Sequence, residues 1–180
     1  SAIGYNIQQL KKLLPKDRKM MAVVKSDGYG HGSVEVAKIA IEQGVDFLMV
    51  ALLEEAVKLR NHGITKPILV VGRVPPMYAD IAADLNITLT VFQAEWLRPI
   101  KHKRLRNKLK VHLEFETGMN RTGIGSFEEL ESIVNEIKQM DHVEITGCYT
   151  HFATADDINS QHFTMQKERY EQMLRNLTNL

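Results

Sequence analysis

Three short segments concentrate the side chains able to do chemistry. The first, MMAVVKSDGYGHG over residues 20–32, ends an apolar run in Lys25 and follows it with Gly28, Gly30 and Gly32. A lysine emerging from a buried strand is partly desolvated, which lowers its pKa and lets the neutral amine condense with a carbonyl. The glycines could bring backbone N–H groups close to a phosphate, although their spacing is neither the Walker pattern nor the dinucleotide fingerprint. The second segment, VHLEFETGMNRTGI over 111–124, alternates as a strand does. Val111, Leu113 and Phe115 fall on one face and His112, Glu114 and Glu116 on the other. Both faces of a parallel sheet are normally buried, so ionisable residues in line point to a barrel lumen or a site. Arg121 follows in a Gly-flanked turn where it could pair with a carboxylate, a structural ion pair being the competing reading. His112, Glu114 and Glu116 are metal-ligand types, but no second cluster completes a site, and no metal is expected. The third segment, CYTHFATADD over 148–157, sets His151 just beyond an apolar run.

The elements that must position these residues follow from hydrophobic periodicity. Strands are expected at Met20–Val24, Phe47–Ala51, Ile68–Val71, Ile87–Val91, Lys110–Phe115 and Glu144–Tyr149, all short and rich in β-branched residues. Between them, Val34–Gln43, Leu53–Asn61, Tyr78–Leu85, Ala94–Ile100 and Phe127–Gln139 carry the spaced apolar residues of helices. Ser126 with Glu129 reads as a capping box. An amphipathic entry helix over 3–14, built on Ile3, Ile7, Leu10 and Leu14, stops at Pro15, and a last helix runs from about Ser160 to the C-terminus. Strands separated by helix-length crossovers are parallel βαβ units, so the class is α/β. Periodicity leaves two architectures open, a doubly wound sheet and part of an eight-unit barrel. In either, the C-terminal strand ends put Lys25, Arg121 and His151 on one edge, and this convergence is a stronger signal than any of the three alone.

Composition excludes several functions. The 180 residues read as one domain, and 44% hydrophobic residues suffice for a core. Twenty-three Lys and Arg against 22 Asp and Glu leave a net charge of +1, too weak a field to gather nucleic acid or an acidic membrane surface. The single cysteine, Cys148, has no internal disulfide partner, and no apolar run approaches the ~20 residues of a membrane span. A reduced, cytoplasmic protein is expected. The start at Ser1, without a charged-then-apolar leader, reads as a processed or trimmed terminus.

At its three chemical segments the chain resembles the alanine racemase family, whose members are pyridoxal 5'-phosphate (PLP) enzymes with a TIM-type (β/α)8 barrel followed by a β domain. AVVKSDGYGHG resembles the family's cofactor-lysine motif, with Ser26 and Gly28 where members usually have alanine. GMNRTGI is similar to its glycine, methionine and arginine turn, and YTHFATAD to its histidine segment. The order is the family's, across residues 1–180, and the resemblance selects the barrel. It implies that Lys25 carries PLP covalently and is one of two catalytic bases. Tyr29 would help hold the cofactor near its phosphate, and His151 would pack against the pyridine ring. Arg121 would bond the phenolic oxygen of PLP and lie near the substrate carboxylate.

Two departures from the family pattern stand out. Where members often place a carbamylated lysine, this chain has Glu114, whose carboxylate would supply Arg121 with a permanent negative charge on a shorter arm. The chain also offers only about six βα units, with no β domain and no counterpart of the tyrosine base that the family gives across a homodimer interface. Residues 1–180 therefore read as the N-terminal portion of a PLP-binding barrel, inactive alone. The resemblance implies an isomerase acting on a small amino acid, foremost alanine, to supply D-alanine for the bacterial cell wall. The alternatives are a broader racemase for serine or other residues, a non-catalytic PLP-binding barrel protein, and a PLP decarboxylase of the same barrel type, which the KSDGYGHG loop disfavours.

Overall fold

The computed structural model describes residues 1–157 and 159–180. Among the described residues six strands form one sheet in sequence order: β1 (Met21–Val23), β2 (Phe47–Val50), β3 (Ile68–Val70), β4 (Ile87–Val91), β5 (Leu109–Phe115) and β6 (Val143–Thr150). Every neighbouring pair is parallel. Each expected strand forms, with no end displaced by more than one residue. Sequential parallel neighbours joined by crossovers are the barrel order, not the reversed order of a doubly wound sheet.

The strand faces explain the packing. Leu48, Val50, Ile68, Val70, Leu89, Val91, Val111 and Leu113 are almost fully buried and belong to one apolar core. Burying a side chain of that size contributes about 1.5–3 kcal/mol. The helices supply the cover: α1 (Ala2–Leu13), α3 (Ser33–Glu42), α4 (Leu53–Asn61), α5 (Ala79–Asp84), α6 (Phe127–Lys138) and α7 (Gln161–Asn179). Phe115 of β5 meets Tyr170 of α7 with ring centroids 5.9 Å apart. The opposite side of β5 carries His112 and Glu114, as period-2 alternation predicts. Gly147 of β6 makes room for His112, because a Cβ there would stand 2.7 Å from His112 Nε2.

One expected helix needs correction. Ala94–Ile100 is not one helix but two 3-10 turns, Ala94–Trp96 and Arg98–Ile100. Pro99 offers no N–H, and the Trp96 indole is drawn aside to donate to the Val74 carbonyl at 2.6 Å. The helix expected over Tyr78–Leu85 forms as the short α5, preceded by a 3-10 turn, Pro76–Tyr78. The entry helix forms and stops before Pro15 as expected; Ser1 caps it, and Leu10 and Leu14 of its apolar stripe remain exposed. Ser126 caps α6 through Glu129 N–H at 3.2 Å, while the Glu129 carboxylate reaches back to Gly125 N–H at 2.8 Å.

Candidate active site

At the C-terminal end of β1 the chain turns through α2 (Lys25–Tyr29), whose backbone is left-handed. Ser26, Asp27, Gly28 and Tyr29 have φ of 52°, 52°, 63° and 55°. A left-handed turn costs residues with a Cβ about 1–2 kcal/mol each, so something must hold it. Asp27 Oδ1 accepts from Ser33 N–H at 3.1 Å, Ser33 Oγ at 3.2 Å and Lys58 Nζ at 2.8 Å. The Lys58 ammonium and the Ser33 N–H hold the Asp27 carboxyl down at about 2. Glu55, on α4, accepts from Ser26 N–H with one oxygen at 2.5 Å and from Ala51 and Leu52 N–H with the other at 2.8 and 2.9 Å.

The second turn follows β5. Glu116 accepts from Gly118 and Asn120 N–H, both at 2.8 Å. Burial pulls its pKa upward, but these N–H bonds prevail and leave it below the ordinary carboxylate value. The chain then comes back onto its own strand, Ile124 N–H reaching the Glu114 carbonyl at 2.8 Å and Glu116 N–H the Ile124 carbonyl at 2.9 Å. Gly123 permits that close approach: a Cβ would lie 2.4 Å from Glu116 N. Behind the turn, the buried Gln166 amide of α7 donates to Thr117 Oγ1 at 3.1 Å and to the His151 carbonyl at 2.9 Å.

These strand ends share one cavity of about 420 Å3. Lys25, Tyr29, Glu114, Arg121 and His151 all line it, so the structure brings together every site residue expected from the sequence. Glu114 is 4% exposed, and its Oε2 has no hydrogen-bond partner. Desolvation raises its pKa, opposed by the Thr122 hydroxyl and the charge of Arg121. Among the described residues no ion pair joins Glu114 directly to Arg121. Burial, then the positive charges of Arg121 and Lys25, push the His151 imidazole below its ordinary value. Burial likewise lowers His112 and raises the Tyr149 phenol, which lies 3.1 Å from Thr90 Oγ1. No group of three or more potential metal ligands forms among the described residues.

Sequence reasoning missed Arg73 and Tyr149, both on the cavity wall. The signal was present. Arg73 follows β3 as Lys25 follows β1, and Tyr149 is two residues before His151 on β6. A larger apolar groove of about 570 Å3, between α4 and the segment after β3, adjoins this cavity through Ala51 and Arg73 but holds none of Lys25, Glu114, Arg121 and His151. The smaller, ionisable cavity has the chemistry.

Parallel strands in sequence order, with ionisable side chains gathered at their C-terminal ends, define a section of a (β/α)8-type barrel. The chain belongs to the alanine racemase family: residues 1–180 match the model described as alanine racemase, N-terminal domain. It is 41% identical to alanine racemase 1 of Bacillus subtilis (strain 168) over 174 residues, 97% of this chain and 45% of the relative. The crystal structure of alanine racemase from Bacillus anthracis with bound L-Ala-P superposes with a TM-score of 0.94 at 41% identity, covering 99% of this chain and 46% of that one. A histidine racemase from Leuconostoc mesenteroides subsp. sake reaches a TM-score of 0.89 at 33% identity, over 94% of this chain and 46% of its own. The chain thus spans about half the length of the relatives it matches.

Proposed function

We propose that residues 1–180 form the N-terminal portion of a PLP-dependent barrel in a cytoplasmic, homodimeric alanine racemase that supplies D-alanine for peptidoglycan. One observation carries the reading: family membership coincides with a single cavity lined by Lys25, Tyr29, Arg121 and His151. The donor set fits the cofactor. A primary amine suits its aldehyde, and Lys25, Arg73 and Arg121 outnumber the one carboxylate, Glu114, as a phosphorylated ligand requires. The volume lies within the usual range for small-ligand sites.

When bound, PLP supplies an electron sink for negative charge developing at the α-carbon. The residues of this chain do the rest. Lys25 would anchor the cofactor and move the α-proton at Nζ on one face. Tyr29 would help hold the phosphate, and His151 would pack against the ring. Arg121 would donate to the phenolic oxygen and steady the substrate carboxylate, with Glu114 as its counter-charge, directly or through one water. A second base, from the partner subunit, serves the other face. A second reading, racemisation of a different amino acid, is supported by the overall likeness to a protein named as a histidine racemase.

Borohydride reduction of the full-length protein with PLP, followed by peptide mapping, is expected to place the pyridoxyl label on Lys25. The labelled enzyme's parent should racemise alanine fastest in an amino-acid panel, and residues 1–180 alone should not. A label on another lysine would overturn the site, and a faster rate on a different amino acid would select the second reading.

A further inference from the structure

Besides its local bonds to Ser33, the left-handed turn beside Lys25 is held from α4, and the atoms that hold it are specific. Ser26 N belongs to the same peptide unit as the Lys25 carbonyl, so whatever fixes that N–H fixes the peptide plane leaving Lys25 and hence the direction of its side chain. The acceptor is Glu55 Oε1 at 2.5 Å, 29 residues away on α4. Glu55 Oε2 simultaneously takes Ala51 and Leu52 N–H, the residues that follow β2, the first of which lines the cavity. One carboxylate therefore bridges the first two strand ends. Lys58, one turn further along α4 and on the same face, grips Asp27 of the turn at 2.8 Å. No loop residue supplies these contacts, and Ser26 and Asp27 lack the freedom of glycine that would let them hold φ near 52° unaided.

We propose that Glu55 is a positioning residue for Lys25: by spanning the β1 and β2 loops it keeps the Lys25 amine aimed into the cavity. This rests on the reading of Lys25 as the cofactor-bearing base. The competing account is local, because Glu55 is also the third residue of α4 and its bond to Leu52 N–H is half of an ordinary capping box. A cap contributes stability and has no bearing on the lysine. The bond to Ser26 lies outside α4 and plays no part in its cap, and that contact separates the accounts.

The test uses the full-length holoenzyme and three variants. Glu55→Gln keeps the shape but leaves one carbonyl oxygen for three N–H groups. Glu55→Asp keeps the charge on an arm too short to reach both loops. Ser126→Ala removes the cap of α6, far from Lys25, and serves as a stability control. Each is assayed for melting temperature, for kcat and KM, and for the pH dependence of pyridoxyl labelling at Lys25 after borohydride reduction. Misplacing the amine by about 1 Å should lower kcat by roughly 10–100-fold in both Glu55 variants. KM should change less, and the Lys25 labelling profile should shift. Ser126→Ala should lower the melting temperature while leaving the profile unchanged. If both Glu55 variants keep the parental kcat and labelling profile, or change only in melting temperature as Ser126→Ala does, Glu55 is a helix cap and the inference is wrong. Should Glu55→Gln not fold, Glu55→Asp decides alone. A parent unlabelled at Lys25 would instead overturn the reading of the lysine itself.

Discussion

The turn after β1 and the turn after β5 reach the same cavity by opposite means. Each is organised by one carboxylate accepting several backbone N–H groups. In the β5 turn the carboxylate is Glu116, two to four residues from its donors, so the turn closes on itself. In the β1 turn it is Glu55, brought from another helix, and the backbone it holds is in a conformation disfavoured for residues with a Cβ. The charges differ as well. Asp27 and Lys58 pair near the surface, whereas Glu114 is buried with one oxygen unmatched. The β1 end is thus complete within this chain, and the β5 end holds an uncompensated acceptor beside the cavity. The first kind of turn secures a lysine and the second presents charge to a ligand.

Two glycines give the largest expected separation between the turns. Gly28 and Gly123 both have positive φ, but an added Cβ at Gly28 comes no closer than 3.1 Å to Val36 Cγ2 and 3.3 Å to the Ser33 backbone, while at Gly123 it meets the backbone N of Glu116 at 2.4 Å. Gly123→Ala should cost about 3 kcal/mol or more, and Gly28→Ala about 1 kcal/mol. Chemical denaturation of the two variants measures both, and equal costs would erase the distinction between a locally closed turn and an externally held one.

Glu114 provides the next effect. Its folded pKa is raised, so the folded state favours the protonated carboxyl. The resulting stabilisation is complete below the ordinary value of 4.5 and is lost as pH rises through the raised value. Glu114→Gln, which cannot ionise, should flatten this part of the stability–pH curve and be at least as stable as the parent at neutral pH without ligand. Turnover of the full-length enzyme should nevertheless fall by about tenfold, or ~1.4 kcal/mol of barrel-mouth electrostatics, because Arg121 loses its counter-charge. A variant with unchanged turnover would reduce Glu114 to a wall residue.

The smallest effect belongs to Asp27. Its pKa lies below the usual 3.8, at about 2, through Lys58 and Ser33, so the stability it lends is present above 3.8 and fades as pH falls towards 2. Both partners are largely exposed, and salt should weaken the pair. In a carboxyl NMR titration Lys58→Met should return Asp27 part of the way to its ordinary value, with little change in melting temperature. A value unmoved by Lys58→Met would assign the shift to Ser33 alone.

Much of the molecule was legible in the residues. The alternation of β5 separated Leu113 and Phe115 from His112 and Glu114 correctly, because the pleat reverses side chains at every residue whatever the context. Lys25, Arg121 and His151 were found by their place at strand ends, a position that parallel order makes common ground. Arg73 and Tyr149 were equally available to the same rule and were missed for want of a distinctive motif around them. The run 94–100 was misread because spaced apolar residues suit a helix and two 3-10 turns alike, and the bond from the Trp96 indole to Val74 is a long-range contact.

The sequence by itself determined the parallel strand–helix order, the cap at Ser126 and the placing of Lys25, Arg121 and His151 at strand ends, because each follows from sterics and hydrogen bonding within a few positions. Only the tertiary structure decided that Ser26 and Asp27 would turn left-handed, that Glu55 would bridge two strand ends, and that Glu114 would be buried with an oxygen unmatched. Those outcomes depend on which distant groups meet. A backbone conformation that costs energy locally is settled by contacts whose partners lie tens of residues away, and no local pattern records them.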